Sequence, residues 1–328
     1  MAQRDGLLAW LGYAAVRVAA TALQSLPIDG VVNLARQVGG LWAASGRERG
    51  FIGRARRAAA RILPFLRPRH RQRAIEHLRA AMPDASSDQI ERIADRSMEH
   101  LAMFAVEVLC SPRLLNRWTW KRYVELVDYQ DALRAMLEGN GAVLVTGHFG
   151  NWELLGHFFA TLGFDIHAIM RPFDNRRLNE YLVRTRRTHG LRVVDKKGAS
   201  AVAVEVLDRG GMLGFIADQD AGRKGIFVDF FGRPASSYKA IGLLAMEKQA
   251  PIVVGYARRL GNRFRYEIGV EQVIRPADWA PRDDPLRWIT QEYTAAIERS
   301  VRRDPSQYLW IHRRWKSQPR IRQSEPRA

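Results

Sequence analysis

The chain of 328 residues contains a single cysteine, Cys110. That excludes an intrachain disulfide framework and any zinc site built from several cysteines. Cys110 closes the run Met103-Phe-Ala-Val-Glu-Val-Leu-Cys110, a setting that reads as a packed helix thiol. No Gly-x-Ser-x-Gly elbow and no Walker A loop occurs. Gly147-His-Phe-Gly150 is far too short for a dinucleotide fingerprint, and no repeat of solenoid period is visible. Negative charge is scarce as well: 34 acidic residues face 52 basic ones, for a net charge of +18. Such a surplus implies an anionic partner, whether nucleic acid, an anionic membrane or a phosphorylated substrate. Apolar residues make up 47%, which excludes a disordered chain.

The N-terminus bears on that choice of partner. Leu7 to Leu26 carries one full charge, Arg17. Its length of about twenty residues is enough to span a bilayer. Alanines dominate it, however, and Arg17 near its middle is expensive there. A helix lying in the membrane interface fits as well, and the plain alternative is a buried helix of a soluble domain. A cleaved signal peptide fits poorly, because Asp5 precedes the run and the apolar stretch is long. Residues 47 to 79 then hold Arg47, Arg49, Arg54, Arg56, Arg57, Arg61, Arg67, Arg69, Arg71, Arg73 and Arg79, against Glu48 and Glu76. Beside an apolar helix, this cluster reads as a contact with anionic headgroups, each basic residue near the surface contributing roughly 1 kcal/mol.

Pro83 to Asp88 reads as a loop, with Ser87 as cap of the next helix. Ile90, Ile93, Ala94, Met98, Leu101, Phe104, Ala105 and Val108 recur at helical spacing, predicting an amphipathic helix that ends near Ser111-Pro112. From about residue 130 helices and strands alternate. Strands are predicted at 142–146, 165–170, 191–194, 212–217, 226–231 and 251–256, with an antiparallel addition at 263–270. Helices are predicted at 131–138, after Gly150, and at 176–188, 200–208, 238–249 and 287–301. The fold class is therefore α/β: a mixed, mainly parallel sheet flanked by helices, with N-terminal membrane-associated helices. The implied organisation is a membrane-associated helix at 1–30, a basic helical region at 31–120, an α/β core at 121–316 and a basic tail at 317–328.

His148-Phe-Gly-Asn-Trp-Glu153 carries the sharpest chemical signal. It joins the strand Ala142-Val-Leu-Val-Thr146 to a helix, and in open α/β sheets that junction is where ligands bind. A histidine there can take a proton from a hydroxyl near neutral pH. Gly147 and Gly150 allow close backbone approach. Glu153 is a candidate to orient the imidazole, although five residues is an awkward helical offset of about 140°. Glu153 can equally favour the positive end of its helix. Asp218-Gln-Asp220 follows the strand at 212–217, and either carboxylate can pair with His148 if the two strands are parallel. The two acids together suit a metal less well, since no matching set of further ligands is evident. Arg171-Pro-Phe-Asp-Asn175 follows the strand at 165–170, and Arg184, Arg186 and Arg187 lie on the next helix. A guanidinium in either place can grip a phosphate or an oxyanion. Phe230-Phe-Gly-Arg-Pro-Ala-Ser236 reads as a turn bearing Arg233. Tyr308 to Lys316 interleaves aromatics with cations, as suits base stacking or a lipid interface.

Together these segments resemble the bacterial lipid A late acyltransferases, a branch of the lysophospholipid acyltransferase superfamily. The stretches that carry the resemblance are Thr146-Gly-His-Phe-Gly-Asn-Trp-Glu-Leu154, Arg171-Pro-Phe-Asp-Asn175, Asp218-Gln-Asp220, Phe227-Val-Asp-Phe-Phe-Gly-Arg-Pro-Ala235 and Trp310-Ile-His-Arg-Arg-Trp-Lys316. Ala74-Ile-Glu-His-Leu78 adds to it, so the likeness runs from about residue 70. It implies His148 as catalytic base with Glu153 as its acidic partner, supported by Asp218 and by an arginine of the 184–187 helix, here taken as Arg186. It further implies that Arg171, Asn175, Asp220 and Arg233 serve the substrate. No cofactor is implied; the acyl donor is acyl carrier protein or acyl-coenzyme A as a thioester. The resemblance implies a phosphorylated glycolipid or lysophospholipid as acceptor and a place at the cell inner membrane, with the catalytic domain on the cytoplasmic side. Glycerol-3-phosphate-type relatives carry a Phe-Pro-Glu-Gly-like segment where this chain has Ile216-Ala-Asp-Gln-Asp220. That favours lipid A or mannoside acylation over simple glycerolipid synthesis.

The predicted protein is thus a membrane-associated O-acyltransferase whose partners are anionic lipids, the donor carrier and a phosphorylated acceptor, with no nucleic acid. Two other readings compete. A thioesterase would use the same base on water. A basic nucleic-acid-binding protein would account for the charge and the C-terminal aromatics, but not for Leu7–Leu26 or the histidine at the strand–helix junction.

Overall fold

A computed structural model describes residues 6–46, 69–188, 190–195 and 198–319. Arg47, Arg49, Arg54, Arg56, Arg57, Arg61 and Arg67 of the basic cluster lie outside these residues, as does most of the basic tail. Elements are numbered here in chain order. Helices α1 (Leu7–Gln24), α2 (Ile28–Ser45), α3 (Arg69–Ala81) and α4 (Ser87–Leu114) come first. Then follow β1 (Val124–Val127), α5 (Gln130–Leu137), β2 (Ala142–Thr146), α6 (Trp152–Thr161), β3 (Ile166–Met170), α7 (Arg176–Thr188), β4 (Arg192–Asp195) and α8 (Ala199–Asp208). β5 (Met212–Ile216), β6 (Ile226–Phe230), β7 (Arg233–Ser237), α9 (Lys239–Lys248), β8 (Ile252–Arg259) and β9 (Tyr266–Ile274) lead to α10 (Pro276–Trp279) and α11 (Pro285–Arg303).

Seven strands form one sheet in the order β1-β9-β8-β2-β5-β3-β4. All neighbours are parallel except β8 and β9. The expectation of a mixed, mainly parallel sheet flanked by helices is met. β2 is central, and four of its five residues are buried, as its uninterrupted apolar run requires when both faces are covered. Its pairing with β5 is in register from Ala142 opposite Met212 to Thr146 opposite Ile216. Ile289, Tyr293 and Ile297 of α11 join β2 and β5 residues in the main core.

Four local expectations are corrected. Ser86, not Ser87, caps α4; it accepts from the Gln89 N–H while the Gln89 side chain accepts from the Ser86 N–H, a reciprocal box. α4 also passes through Pro112 to Leu114, since a proline near a helix end forfeits one hydrogen bond without ending the helix. The segment read as a turn at 230–236 is half of a hairpin: β7 pairs antiparallel with β6 as a separate two-stranded sheet. Its proline is tolerated because a two-stranded ribbon consists only of edges. Arg71 is no headgroup contact; it is buried and bonds Asp95 and Glu91 on α4.

α1 and α2 do not fit a bilayer span: among the described residues no helix is long and apolar enough to cross a membrane. Both helices nevertheless expose apolar side chains, including Leu7, Trp10, Leu11 and Val18 on α1, and Leu34, Val38 and Leu41 on α2. α2 packs tightly on α4, where a Cβ at Gly39 would lie 2.5 Å from the Glu99 Cα.

Candidate active site

The equal register of β2 and β5 builds the centre of the site. His148 stands two residues beyond Thr146, and Asp218 stands two beyond Ile216, so the two meet at the carboxyl edge of the sheet. The Asp218 carboxylate accepts from His148 Nδ1 at 2.7 Å and from the His148 backbone N–H at 2.8 Å. Both residues are buried. Burial alone would push the Asp218 carboxyl up, but the adjoining His148, with its hydrogen bonds, and His312 hold it well below the usual carboxylate range. An ionised Asp218 can only accept, so Nδ1 carries the proton and Nε2 is left as the basic nitrogen. Nε2 makes no hydrogen bond to any described residue. Of the three carboxylates considered for His148, Asp218 is the one that reaches it.

Glu153 does not. It lies in the first turn of α6 and turns the other way, toward α7, where Arg186 grips both its oxygens at 2.8 to 3.0 Å. Arg186 also approaches the Met170 sulfur at 3.4 Å. Asp220 is engaged elsewhere too: its oxygens accept from the Ser317 N–H and hydroxyl and from the Gly222 N–H, tying down the C-terminal segment. Asn175 caps α7 by accepting from the Leu178 N–H, and its amide donates to the Ala9 carbonyl of α1. Arg171 is exposed and pairs with Asp174. Arg233 lies over the Trp315 ring, 4.8 Å from its centre. His148, Asp218, Glu153 and Arg186 therefore form one neighbourhood, whereas Asp220, Asn175, Arg171 and Arg233 have structural or surface contacts.

The loop that carries His148 is fixed on several sides. A Cβ at Gly147 would stand 2.7 Å from Ile297 of α11. Gly150 has φ +59°, and a Cβ there would lie 2.0 Å from the Ala257 carbonyl oxygen. The Gly150 N–H donates to the Gln307 carbonyl and the Asn151 N–H to the Ala257 carbonyl. Asn151 is fully buried; its oxygen caps α6 through the Leu154 N–H, and its amide donates to Glu107. Glu107 is bonded by Arg259 through Nε and Nη2, and the same Nη2 donates to His100 Nδ1 at 2.9 Å. Burial and the Arg259 charge push His100 well down, so the neutral ring donates from Nε2 to the Gly150 carbonyl. Glu107, Arg259 and His100 escaped sequence reasoning. His100 and Glu107 sit on one helix 50 and 44 residues before their loop partners, and Arg259 lies 152 residues beyond Glu107, so each on its own looks like an ordinary surface polar residue.

His312 is a further residue missed as a site member. Its ring stacks on His148 at 5.4 Å with 25° between planes, while Trp152 meets His148 edge-on at 4.9 Å. Burial pushes the His312 imidazole down to about 4, so it stays neutral beside its neighbour. Its place in Trp310-Ile-His-Arg-Arg-Trp-Lys316 was the available signal. In the same segment Arg314 is fully buried, bonding the carbonyls of Gln219 and Ser236 and the Ser237 hydroxyl. It thereby clamps the loop that carries Asp218.

An apolar cavity of about 140 Å³ runs along the sheet beneath α6. Leu144 and Thr146, Ala168 and Met170, Gly214 and Ile216, and Val253 and Gly255 line it as alternate residues of four strands, and Val145, Ile169 and Phe215 between them also reach it. Glycine or alanine at 168, 214 and 255 leaves the space open, and a Cβ at Gly214 would meet nothing closer than 3.8 Å. Trp152, Glu153 and Arg186 stand at the histidine end of the cavity. His148 is not itself a wall; Trp152 is the side chain that touches both. Among the described residues no group of three or more His, Cys, Asp or Glu is arranged to hold a metal ion.

A histidine–aspartate pair thus stands at the carboxyl edge of an α/β sheet, with Trp152 between it and an apolar slot. The chain belongs to the bacterial lipid A biosynthesis acyltransferase family, whose model matches residues 34–317. It is 27% identical over 278 residues to the lipid A biosynthesis palmitoleoyltransferase of Escherichia coli strain K12, covering 82% of this chain and 85% of that protein. It is 24% identical over 249 residues to the lipid A biosynthesis lauroyltransferase of the same strain, covering 74% and 78%. A phosphatidylinositol mannoside acyltransferase of Mycobacterium tuberculosis strain H37Rv is 23% identical over 224 residues, covering 67% and 69%. The protein is an acyltransferase.

Proposed function

We propose that this enzyme transfers a fatty acyl chain from an acyl thioester, on acyl carrier protein or coenzyme A, to a hydroxyl of a lipid A precursor or related glycolipid. The reading is carried by the His148–Asp218 pair, which Trp152 joins to an apolar cavity. The acyl chain occupies the cavity and places the thioester carbonyl near His148. Nε2 takes the proton of the acceptor hydroxyl as its oxygen attacks that carbonyl. Asp218 keeps the required tautomer and stabilises the imidazolium. The tetrahedral oxyanion collapses, the carbon–sulfur bond breaks, and the thiolate leaves and takes the proton back from His148. A thiol of pKa near 8.5 leaves readily, so no stronger acid is needed. The N–H groups of Gly150, Asn151 and Leu154 are already engaged, so they do not serve the oxyanion. Arg186, held by Glu153 in the cavity wall, is the cation assigned to the oxyanion.

We place the protein at the cell inner membrane, its catalytic region facing the cytoplasm. The exposed apolar residues of α1 and α2 and the net charge of +18 support an interfacial contact with anionic lipid. In this arrangement α1 and the exposed face of α2 meet the membrane, and the α/β region carries the chemistry. The test is His148→Ala, purified and shown folded by its melting curve. Acyl transfer from a thioester to a glycolipid acceptor should fall at least about 10²-fold. Near-wild-type turnover would refute the mechanism. Thioester cleavage by the wild type that does not depend on added acceptor would favour hydrolysis instead.

A further inference from the structure

The one charge of α1 faces a second cationic helix. Arg17 donates to the Tyr13 hydroxyl at 3.1 Å and lies 4.9 Å over the ring of Tyr181 on α7. The two tyrosines meet edge to face at 6.3 Å. Around this contact Tyr13, Arg17, Arg177, Glu180, Tyr181 and Arg184 line a cleft of about 190 Å³ between α1 and α7. Arg177 and Arg184 are seven residues apart, hence two turns along one face of α7. Three guanidiniums share the cleft with one carboxylate, and that carboxylate, Glu180, is also bonded by Arg176. Among the described lining residues guanidiniums thus outnumber carboxylates three to one.

We propose that this cleft binds a phosphate monoester of the lipid acceptor, with Arg17, Arg177 and Arg184 as its ligands. A monoester carries roughly −1.5 to −2 charges near neutrality and a phosphodiester headgroup only one, so three converging guanidiniums favour the monoester. Planar guanidiniums suit bidentate contact with phosphate oxygens. The aromatic rings hold Arg17 in place beforehand, which lowers the cost of ordering it on binding. The position agrees with the chemistry on the other side of α7. Arg184 and Arg186 are two residues apart, so they project from nearly opposite faces. Arg186 enters the cavity end with Glu153, while Arg184 enters the cleft. A phosphate in the cleft is therefore about one helix diameter, on the order of 10 Å, from the cavity end, a gap that a sugar headgroup bridges. The apolar side chains of α1, among them Trp10 and Leu11, leave the acyl tails of such an acceptor an apolar surface beside the cleft.

The inference takes the acceptor from the acyl-transfer reading, but its anion is tested without catalysis. Binding of the full chain is measured to lysophosphatidic acid, lysophosphatidylglycerol and monoacylglycerol of one chain length, each in neutral detergent micelles. These present a monoester, a diester and no phosphate. The expected order is monoester first, by about tenfold or more over the diester. Arg177→Gln and Arg184→Gln replace exposed side chains and should each remove most of that preference, while Arg17→Lys should reduce it. Equal binding of monoester and diester, or a preference kept by the variants, overturns the proposal and leaves the cleft a general headgroup contact. In the kinetic arm, a phosphorylated lipid A precursor is compared with the same lipid after phosphatase treatment. The variants should raise KM about tenfold for the phosphorylated acceptor and leave the donor KM unchanged. Unaltered acceptor KM would overturn the assignment of the acceptor to this cleft. Absence of transfer by the wild type to either lipid would instead refute the acyl-transfer reading, and the micelle result would still decide the anion.

Discussion

Replacing Asp218 by asparagine keeps the shape of the site and removes one acceptor. Asp218 accepts two bonds, from His148 Nδ1 and from the His148 N–H. Asparagine has one oxygen and one NH2 group, so only one of the two donors keeps its partner. If the oxygen retains the backbone N–H, the amide NH2 faces Nδ1 and forces the proton onto Nε2, where the base is needed. A wrong tautomer in a histidine–carboxylate pair costs kcat about 10³- to 10⁴-fold, or about 4–5.5 kcal/mol of barrier. Asp218 does not line the cavity, so KM for the acyl donor should stay within a few-fold. The assay is steady-state acyl transfer with a thioester donor, with a melting curve to establish the fold. The same pair sets a stability signature. The folded Asp218 carboxyl lies well below its unfolded value of about 3.9, so its contribution is fully present above that pH and is lost as pH falls toward the folded value. The stability gap between wild type and Asp218→Asn should therefore narrow below about pH 4. Retention of more than a tenth of wild-type kcat by a folded Asp218→Asn would refute the pairing argument.

Three further outcomes follow from the geometry. Glu153→Ala and Arg186→Ala should each lower kcat/KM, and the double variant should be no worse than the poorer single, a coupling of about 1–3 kcal/mol; additive losses would mean the bidentate pair seen here does not act as a unit. Gly214→Leu fills a cavity wall where a Cβ makes only ordinary contacts, at 3.8 Å or more, so donor preference should shift to shorter chains. Each excluded methylene costs about 0.8 kcal/mol, roughly fourfold in donor discrimination, and an unchanged chain-length profile would remove the acyl chain from this cavity. Gly150→Ala combines a left-handed backbone with a contact on the Ala257 carbonyl and should destabilise by about 2–4 kcal/mol, read in a urea melt; a stability within 0.5 kcal/mol, roughly the spread for a neutral surface change, would contradict it.

Local pattern determined much of this protein. The apolar run at 142–146 is the buried strand it predicts, and the helical spacing of Ile90, Ala94 and Met98 is that of an amphipathic helix, because side-chain periodicity is set by backbone geometry alone. The junction at His148 and the alternation of strands and helices were legible for the same reason. Where two local signals compete, the reading slipped: Ser86 and Ser87 are both good caps, and Gln89 decides between them. The proline in β7 and the short, charged β1 hide strands that exist only because a partner strand is present. What belongs to tertiary structure alone is which carboxylate serves His148. Glu153, Asp218 and Asp220 were all eligible, and the choice rests on the in-register parallel pairing of β2 with β5, which sets His148 and Asp218 equal distances past paired residues seventy positions apart. The buried Glu107–Arg259–His100 support and the α1–α7 cleft have the same origin. No spacing in the chain encodes such contacts. They come from the free energy of packing whole helices against one sheet, which no segment carries by itself.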